Sequence, residues 1–383
     1  MTAADERFMR RALELAARGC GAVEPNPPVG AVIVRDDEAI AEGWHERFGG
    51  PHAEAAALAA ARQAGADPAG ATMYVTLEPC TPFPGKKTPS CAEAVAAAGI
   101  ARVVVAMEDP YTAVAGRGLR RLREAGIEVV VGVCEGEARS LLAPYIKLTT
   151  KGRPWVVCKW AQTADGYLAL PPGQERWISG DDARVYVQEL RGLCDGILVG
   201  IETVLADNPL LTNRSVVSLE SNRSGRGRQP TRVVLDSGLR LPPDCRLVRT
   251  AREVPVIVAT TETAGAAKAH AGADLADQGV ELLALPTSAD GLDLGALLDE
   301  LGERRWTRLL VEGGAKVLRS FIHGSFADEL LAFVSERSVG EGAGALPRFD
   351  IAAVRQELAL GEPDETRRFA SDELCRFLLR RKR

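Results

Sequence analysis

PHAEAAALAAARQAGADPAGATMYVTLEPC, residues 51–80, joins the two patterns that decide the fold. The Ala-rich part over residues 52–64 reads as a helix, and Thr72-Met-Tyr-Val-Thr-Leu77 reads as a strand that delivers Glu78-Pro-Cys80. Outward from it, strand-like runs recur at Gly30–Val34, Arg102–Ala106 and Glu128–Val131, with helical stretches at 91–98 and 117–125 between them. Upstream, Phe8, Met9, Ala12, Leu15 and Ala16 share one face of a helix that Gly19 ends. This alternation predicts a layered α/β domain ending near residue 146. The polar segment Leu148-Thr-Thr-Lys-Gly-Arg-Pro154 reads as the boundary, giving domains 1–147 and 153–383. Beyond it the pattern restarts, with strands expected at Trp155–Trp160, Gly196–Val199, Thr231–Leu235, Val254–Ala259 and Arg308–Val311. Helices are expected near 181–192, 292–304 and 315–323.

At 383 residues the chain is too long for one ordinary core, which agrees with two domains. Net charge is -5 and aromatic content 5%, so neither a nucleic-acid footprint nor attraction to anionic lipid is expected. A small-molecule enzyme fits better. The N-terminus mixes charge with apolar residues, and no apolar run reaches the roughly 18 residues of a membrane span, so we expect a cytoplasmic protein. Its eight scattered cysteines suit a reducing compartment, most of them as buried small hydrophobes. The stretch Ser215 to Pro230, holding SNRSGRGRQP, reads as a flexible surface loop with solvated arginines, and the terminal Arg380-Arg-Lys-Arg383 as a solvated tail.

Chemistry enters through the chain's few histidines. His52 opens one predicted helix, Cys80 follows a strand, and Cys91 opens the next helix. One imidazole and two thiolates are zinc-type ligands, and three protein ligands leave a fourth tetrahedral position for water, the mark of a catalytic zinc. Zinc lowers the pKa of water it binds from about 15.7 to about 7. Glu54 stands two residues after His52 and so off the face that His52 occupies, which assigns it to proton transfer rather than to the metal. His-x-Glu followed by Pro-Cys and a second Cys is the zinc-deaminase signature with one departure: TPFPGKKTPS, ten residues, separates the cysteines where the signature has two.

Further strings extend the pattern. Pro25-Asn-Pro-Pro-Val-Gly-Ala-Val-Ile-Val34, Gly43-Trp-His45 and Ala115-Gly-Arg-Gly118 flank the metal motif. The second half has Thr203-Val-Leu-Ala-Asp-Asn-Pro-Leu-Leu-Thr212, Arg232-Val-Val-Leu-Asp-Ser237 and Leu310-Val-Glu-Gly-Gly-Ala315. Together these strings, covering nearly the whole chain, resemble the bifunctional riboflavin-biosynthesis deaminase–reductases. The resemblance implies an α/β chain with a cytidine-deaminase-like three-layer domain followed by a dihydrofolate-reductase-like domain. The first would hydrolytically deaminate 2,5-diamino-6-ribosylamino-pyrimidinone 5'-phosphate, and the second would use NADPH to reduce the ribosyl group to ribityl. A homodimer is implied too. A paralogue acting on a related pyrimidine or purine is the alternative.

By that likeness His52, Cys80 and Cys91 bind Zn2+, and Glu54 shuttles the proton. Asn26 would line the pyrimidine or sugar side of the pocket; a turn residue between prolines is its other reading. The likeness sets Trp177, Thr203, Asp207, Ser237 and the run Gly314, Ala315, Lys316, Val317, Leu318, Arg319 and Ser320 against NADPH. Glycines before a helix can let a phosphate approach backbone N–H groups. Arg191, Leu211, Arg214 and Glu312 fall on the substrate side, where a guanidinium pair is suited to forking a phosphate. Lys159 and Asp165 match a similar pair in the family, as catalytic groups or as a strand-end ion pair. Two departures concern the substrate: the segment between the cysteines lacks the family's His, and Glu175 stands where the family has a small hydroxyl residue beside the substrate phosphate. A carboxylate there would repel a phosphate dianion.

Overall fold

The computed structural model describes residues 2–82, 90–112, 115–171, 173, 177–214, 228–288, 291–340 and 346–379. Outside the described residues lie most of the segment between Cys80 and Cys91, Glu175, much of the arginine-rich stretch before Pro230 and the terminal Arg380–Arg383. The chain divides into two compact units, with the division after Gly152.

The first unit carries α1 (Ala3–Ala17), β1 (Gly30–Arg35), β2 (Glu38–Trp44), α2 (Ala53–Gln63), β3 (Thr72–Val75), α3 (Cys91–Ala97), β4 (Arg102–Val105), α4 (Arg117–Glu124), β5 (Glu128–Val131), α5 (Glu135–Leu141) and α6 (Ala143–Lys151). Its sheet runs β2-β1-β3-β4-β5, antiparallel through β2, β1 and β3 and parallel from β3 to β5. Alternation along β1 explains the three layers. Ala31 and Ile33 pack with Ala57, Leu58, Val95 and Leu122 of α2, α3 and α4, while Val32 and Val34 pack with Met9, Leu15, Ala138 and Leu142 from α1, α5 and its end.

Two glycines set how closely helices ride on this sheet. A Cβ on Gly30 would lie 2.0 Å from the Ala12 carbonyl oxygen of α1, and one on Gly43 would lie 2.3 Å from the Ala57 nitrogen of α2. α2 therefore sits directly on the backbone of β2, and the height of its first residues, next to His52, is fixed by the missing side chain. The first helix begins earlier than apolar spacing alone predicts, because Thr2 and Asp5 form a reciprocal capping box that adds a turn. The polar segment expected to be a linker is helical as far as Lys151: Leu148 is buried, and only at Gly152, with φ 67°, does the helix stop.

The second unit carries β6 (Trp155–Gln162), α7 (Asp181–Gly192), β7 (Gly196–Gly200), α8 (Ile201–Asp207), β8 (Thr231–Leu235), α9 (Arg246–Arg249), β9 (Val256–Thr261), α10 (Glu262–Ala267), α11 (Ala269–Asp277) and β10 (Val280–Leu285). There follow a small hairpin β11 (Thr287–Ser288) and β12 (Gly291–Leu292), then α12 (Leu294–Glu303), β13 (Arg308–Val311), α13 (Ala315–His323), β14 (Glu329–Ser335), α14 (Ile351–Glu357), β15 (Glu365–Phe369) and β16 (Asp372–Leu378). Nine strands form one sheet ordered β10-β9-β8-β7-β13-β6-β14-β16-β15, parallel from β10 to β14 and antiparallel at the β16-β15 end. Each face carries its own apolar core. Leu297, Leu301, Leu318 and Phe321 cover Val156, Cys158 and Val311 on one side; Val187, Leu190 and Val204 cover Val157, Ile197 and Val199 on the other.

Because a methyl at residue 43 strikes backbone rather than a side chain that can swing away, Gly43→Ala should cost about 1–3 kcal/mol. Thermal unfolding of the full chain checks this. A variant with wild-type Tm and unchanged zinc content would show that α2 tolerates being lifted.

Candidate functional site

Three elements of the first unit bring the metal-type ligands together. His52 is the extended residue, φ -73° and ψ 163°, that caps α2. Cys91 is the first residue of α3, whose cap Ser90 accepts from the Glu93 N–H. Cys80 lies between: its carbonyl accepts from Ala92 N at 3.2 Å and from the Ser90 hydroxyl at 3.3 Å, which ties the two cysteine segments to each other. The outcome is a convergence of ligand atoms, all within 4.8 Å of one another. His52 Nδ1 stands 3.4 Å from each sulfur.

Those separations fit zinc. Bond lengths of about 2.3 Å to sulfur and 2.0 Å to nitrogen in a tetrahedral arrangement set an S···N edge of roughly 3.5 Å. Donors and spacing both suit the ion, and the three residues are of the kinds that form a site open at a fourth position. Glu54, one residue inside α2, is 3% exposed. Burial, reinforced by the nearby Cys80, pushes its carboxyl up to about 7. A carboxyl so placed exchanges a proton readily near neutral pH.

Asn26 is oriented by a residue to which sequence reasoning gave no role. His45 is 3% exposed, and burial holds its imidazole below the usual range. Its Nδ1 lies 2.8 Å from the Pro51 carbonyl oxygen, which can only accept, so Nδ1 carries the hydrogen and Nε2 accepts from Asn26 Nδ2 at 3.2 Å. The Asn26 amide nitrogen therefore faces His45 and its oxygen faces away. The Gly43-Trp-His45 string contained the signal, as one of only two histidines in the first unit.

In the second unit the predicted residues collect at the carboxyl ends of β6, β7, β8 and β13 and in the segments that follow them. Gly313 and Gly314 lead from β13 into α13, with Gly314 at φ 62°. A Cβ on Gly313 would lie 2.8 Å from Val199 and 3.2 Å from the Thr203 hydroxyl oxygen, and one on Gly200 would lie 2.7 Å from Val317. The N-termini of α8 and α13 are thus side by side, with Thr203 between them. Within the predicted run, Gly314, Lys316 and Arg319 are exposed, whereas Leu318 is core; Val317 packs on Gly200, and Ala315 and Ser320 are half-buried. Arg319 lies over the Phe349 ring. Trp177 is half-exposed just before α7, with the Arg184 guanidinium 5.4 Å from its ring. Asp207 ends α8, and Ser237 follows β8 with its carbonyl accepting from the Thr261 hydroxyl.

Of the two guanidiniums expected on the substrate side, Arg191 is engaged by a carboxylate and Arg214 lies within its field. Arg191 forks Glu312, Nε and Nη2 donating at 2.7 and 2.8 Å, while Nη1 donates to the Thr212 carbonyl. Both side chains are at most 10% exposed. Burial pushes the Glu312 carboxyl up, but Arg191, Lys159 and Arg214 outweigh it and leave it lowered. Burial also lowers Lys159, against the pull of Glu312. Arg214 is exposed at the rim, held low by partial burial and by Arg191. Leu211, at φ 52°, turns its side chain into the core, so only its backbone is presented. Lys159 and Asp165 serve different partners: the former sits in the field of Glu312, and the latter accepts from the Thr163 hydroxyl and the N–H groups of Val339 and Gly340.

Comparison with known proteins accounts for both units. Residues 2–107 match the cytidine and deoxycytidylate deaminase zinc-binding region, and residues 154–360 match the RibD C-terminal domain. The riboflavin biosynthesis protein RibD of Aquifex aeolicus is 40% identical over 338 residues, 88% of each chain. Among solved structures, Acinetobacter baumannii RibD superposes with a TM-score of 0.82 at 36% identity, covering 98% of both chains. A diaminohydroxyphosphoribosylaminopyrimidine deaminase/5-amino-6-(5-phosphoribosylamino)uracil reductase from Thermotoga maritima gives 0.80 at 36%, covering 97% of this chain and 98% of its own. The first unit is accordingly cytidine-deaminase-like and the second of the dihydrofolate-reductase-like type. Likeness that runs through both halves in order does not favour a specialised paralogue. The ligand triad, the glycine-led helix and the full-length correspondence meet in one conclusion: the chain belongs to the RibD family of riboflavin-biosynthesis proteins.

Proposed function

We propose that two reactions of riboflavin biosynthesis are divided between the two units, deamination in residues 1–147 and reduction in residues 153–383. The chain is a bifunctional deaminase and NADPH-dependent reductase. Its first substrate is 2,5-diamino-6-ribosylamino-pyrimidinone 5'-phosphate, and its second reaction converts the ribosyl group to ribityl. The observation that carries the assignment is His52 Nδ1 held 3.4 Å from both cysteine sulfurs beside the buried Glu54.

His52, Cys80 and Cys91 hold the zinc, which when bound supplies a Lewis acid that makes hydroxide available near neutral pH. Glu54 would take a proton from the attacking water and pass it to the ring nitrogen, then carry the second water proton to the amine, which departs as ammonia. Asn26 presents its amide to the pyrimidine or sugar, in the orientation His45 dictates. Glu54 is not a metal ligand in this reading, so Glu54→Gln should lower deamination by about 10²–10⁴-fold and leave bound zinc unchanged. Wild-type turnover in that variant, measured with the metal quantified, would remove Glu54 from the reaction.

In the second unit NADPH supplies the hydride when bound. The adjoining N-termini of α8 and α13, with Thr203 and the backbone at Gly314, receive its phosphates; Trp177, Asp207 and Ser237 flank it, along with the exposed members of the Ala315–Ser320 run. Glu312, held by Arg191, faces the substrate's sugar, and Arg214 with the Leu211 backbone lies toward its phosphate. The work of this unit is positioning in a site that excludes water. Removing one partner of a buried ion pair costs about 3–5 kcal/mol. Glu312→Gln leaves Arg191 and Lys159 facing each other uncompensated, and should cut NADPH oxidation while deamination persists; parallel loss of both activities would contradict the division of labour.

The homodimer and the cytoplasmic location belong to the same reading, supported by the family likeness and by thiolate ligands that need a reducing compartment. Sedimentation equilibrium should give twice the chain mass, and a monomer at all concentrations would refute the dimer.

A further inference from the structure

The Ala115-Gly-Arg-Gly118 string and the glutamate of Glu78-Pro-Cys80 have no part in the chemistry above, yet they meet. Glu78 is 3% exposed, two residues from a metal ligand. Its carboxylate accepts four backbone N–H groups: Oε2 from Asp109 at 3.2 Å and Gly116 at 2.9 Å, Oε1 from Gly118 at 2.7 Å and Leu119 at 3.3 Å. Glu78's own N–H donates to the Met107 carbonyl. The carboxylate thus gathers the segment after β4 and the first turn of α4 around itself. A buried charge is tolerable when it is fully hydrogen-bonded, and the positive end of α4 adds to the compensation.

Both glycines are required by the same closure. Gly116 caps α4 at φ 71°, a left-handed conformation that glycine takes freely. At Gly118 an added Cβ would lie 2.0 Å from the Pro79 carbonyl oxygen. That carbonyl belongs to the peptide joining Pro79 to Cys80. Drawing α4 onto Glu78 therefore presses the Gly118 backbone flat against the peptide that orients the Cys80 side chain.

We propose that Glu78 is a positioning residue of the metal centre: by clamping Asp109, Gly116, Gly118 and Leu119 it fixes the Pro79–Cys80 peptide and so sets how tightly the His52–Cys80–Cys91 triad holds zinc. The proposal rests on the zinc reading above, which is tested separately by finding one zinc per wild-type chain and none in His52→Ala.

Two full-length variants attack the clamp from opposite sides. Glu78→Gln keeps the shape but turns an NH2 toward two of the four donors. Gly118→Ala keeps the carboxylate's charge and pushes chiefly on the Pro79 oxygen, 2.0 Å from the new methyl, with the Glu78 side chain farther off at 3.1 Å. Partners that orient metal ligands typically contribute 10–100-fold to affinity, so each variant should weaken zinc binding by about that factor in chelator competition. The absorption spectrum of the cobalt-substituted protein should also shift, with far-UV circular dichroism and NADPH oxidation retained. If one variant fails to fold, the other decides. Zinc affinity and cobalt spectrum equal to wild type in the folded variant, or zinc lost only in step with unfolding, would overturn the assignment.

Discussion

Everything in the first unit is subordinate to one requirement: two sulfurs and an imidazole nitrogen must be held within tetrahedral reach of a common point. Thiolates repel one another, and an apposed pair is unfavourable until a cation arrives. The protein meets that cost with rigid elements. Cys91 starts α3, where the dipole favours negative charge, His52 caps α2, and Cys80 is tied to the Ala92 N–H and the Ser90 hydroxyl. The separations of 3.4 Å already match those a zinc would impose. Preorganisation of this kind transfers the ordering cost from metal binding to folding. α2 rides low on Gly43, and because His52 and Glu54 share that helix start, its height sets both side chains together.

Among its described residues the second unit has no comparable cluster of ligands, and charge marks its candidate site. Glu312, at the end of β13, is compensated by Arg191 with Lys159 and Arg214 nearby. Both members of the fork come from packed elements, α7 and the β13 end, so neither needs substrate to find its geometry. A residue read from sequence as a phosphate fork is spent on a carboxylate, and the change alters its meaning. Arg191 places the Glu312 carboxylate. Side-by-side N-termini of α8 and α13 complete the site from backbone groups, at the carboxyl ends of parallel strands where open α/β sheets bind ligands.

Regular alternation made much of this fold legible. β1, β5, β8 and β13 carry continuous Val, Ile and Leu runs, and α7 and α13 have clear apolar faces. β2 escaped because Glu38-Ala-Ile-Ala-Glu-Gly-Trp44 is poor in β-branched residues; it exists through its pairing with β1 and the packing of α2 on Gly43. Glu329-Leu-Leu-Ala-Phe-Val-Ser335 is an apolar run whose period separates neither helix from strand, and only its place between β6 and β16 makes it β14. α6 was hidden by Thr149, Thr150 and Gly152, which read as a linker although Leu148 buries its side. The triad and Glu54 were legible because their chemistry is in the side chains. His45 and Glu78 were quoted in motifs and assigned nothing, since their principal partners are the Pro51 carbonyl and four backbone N–H groups, and no sequence spells out a backbone group's position.

The two buried glutamates, Glu78 and Glu312, then show how the choice of compensating partner separates structure from chemistry. Backbone N–H groups satisfy Glu78 from fixed positions, and their dipoles cannot be redirected to a ligand without unfolding the segment that carries them. Such a carboxylate is suited to holding geometry. Glu312 is balanced by guanidinium and ammonium groups whose field extends past it, and Arg214 at the rim leads that field to solvent. An anionic substrate entering there meets positive charge that the carboxylate only partly cancels. Elsewhere in the second unit Asp165 accepts from the Thr163 hydroxyl and the N–H groups of Val339 and Gly340, whereas Asp195 accepts from Thr307 and the Arg308 N–H on one oxygen and pairs with the Arg228 guanidinium on the other; both lock strand ends. Of the two glutamates, Glu312 is the one balanced by side-chain cations, and in the proposed reading it is the one that faces the ligand.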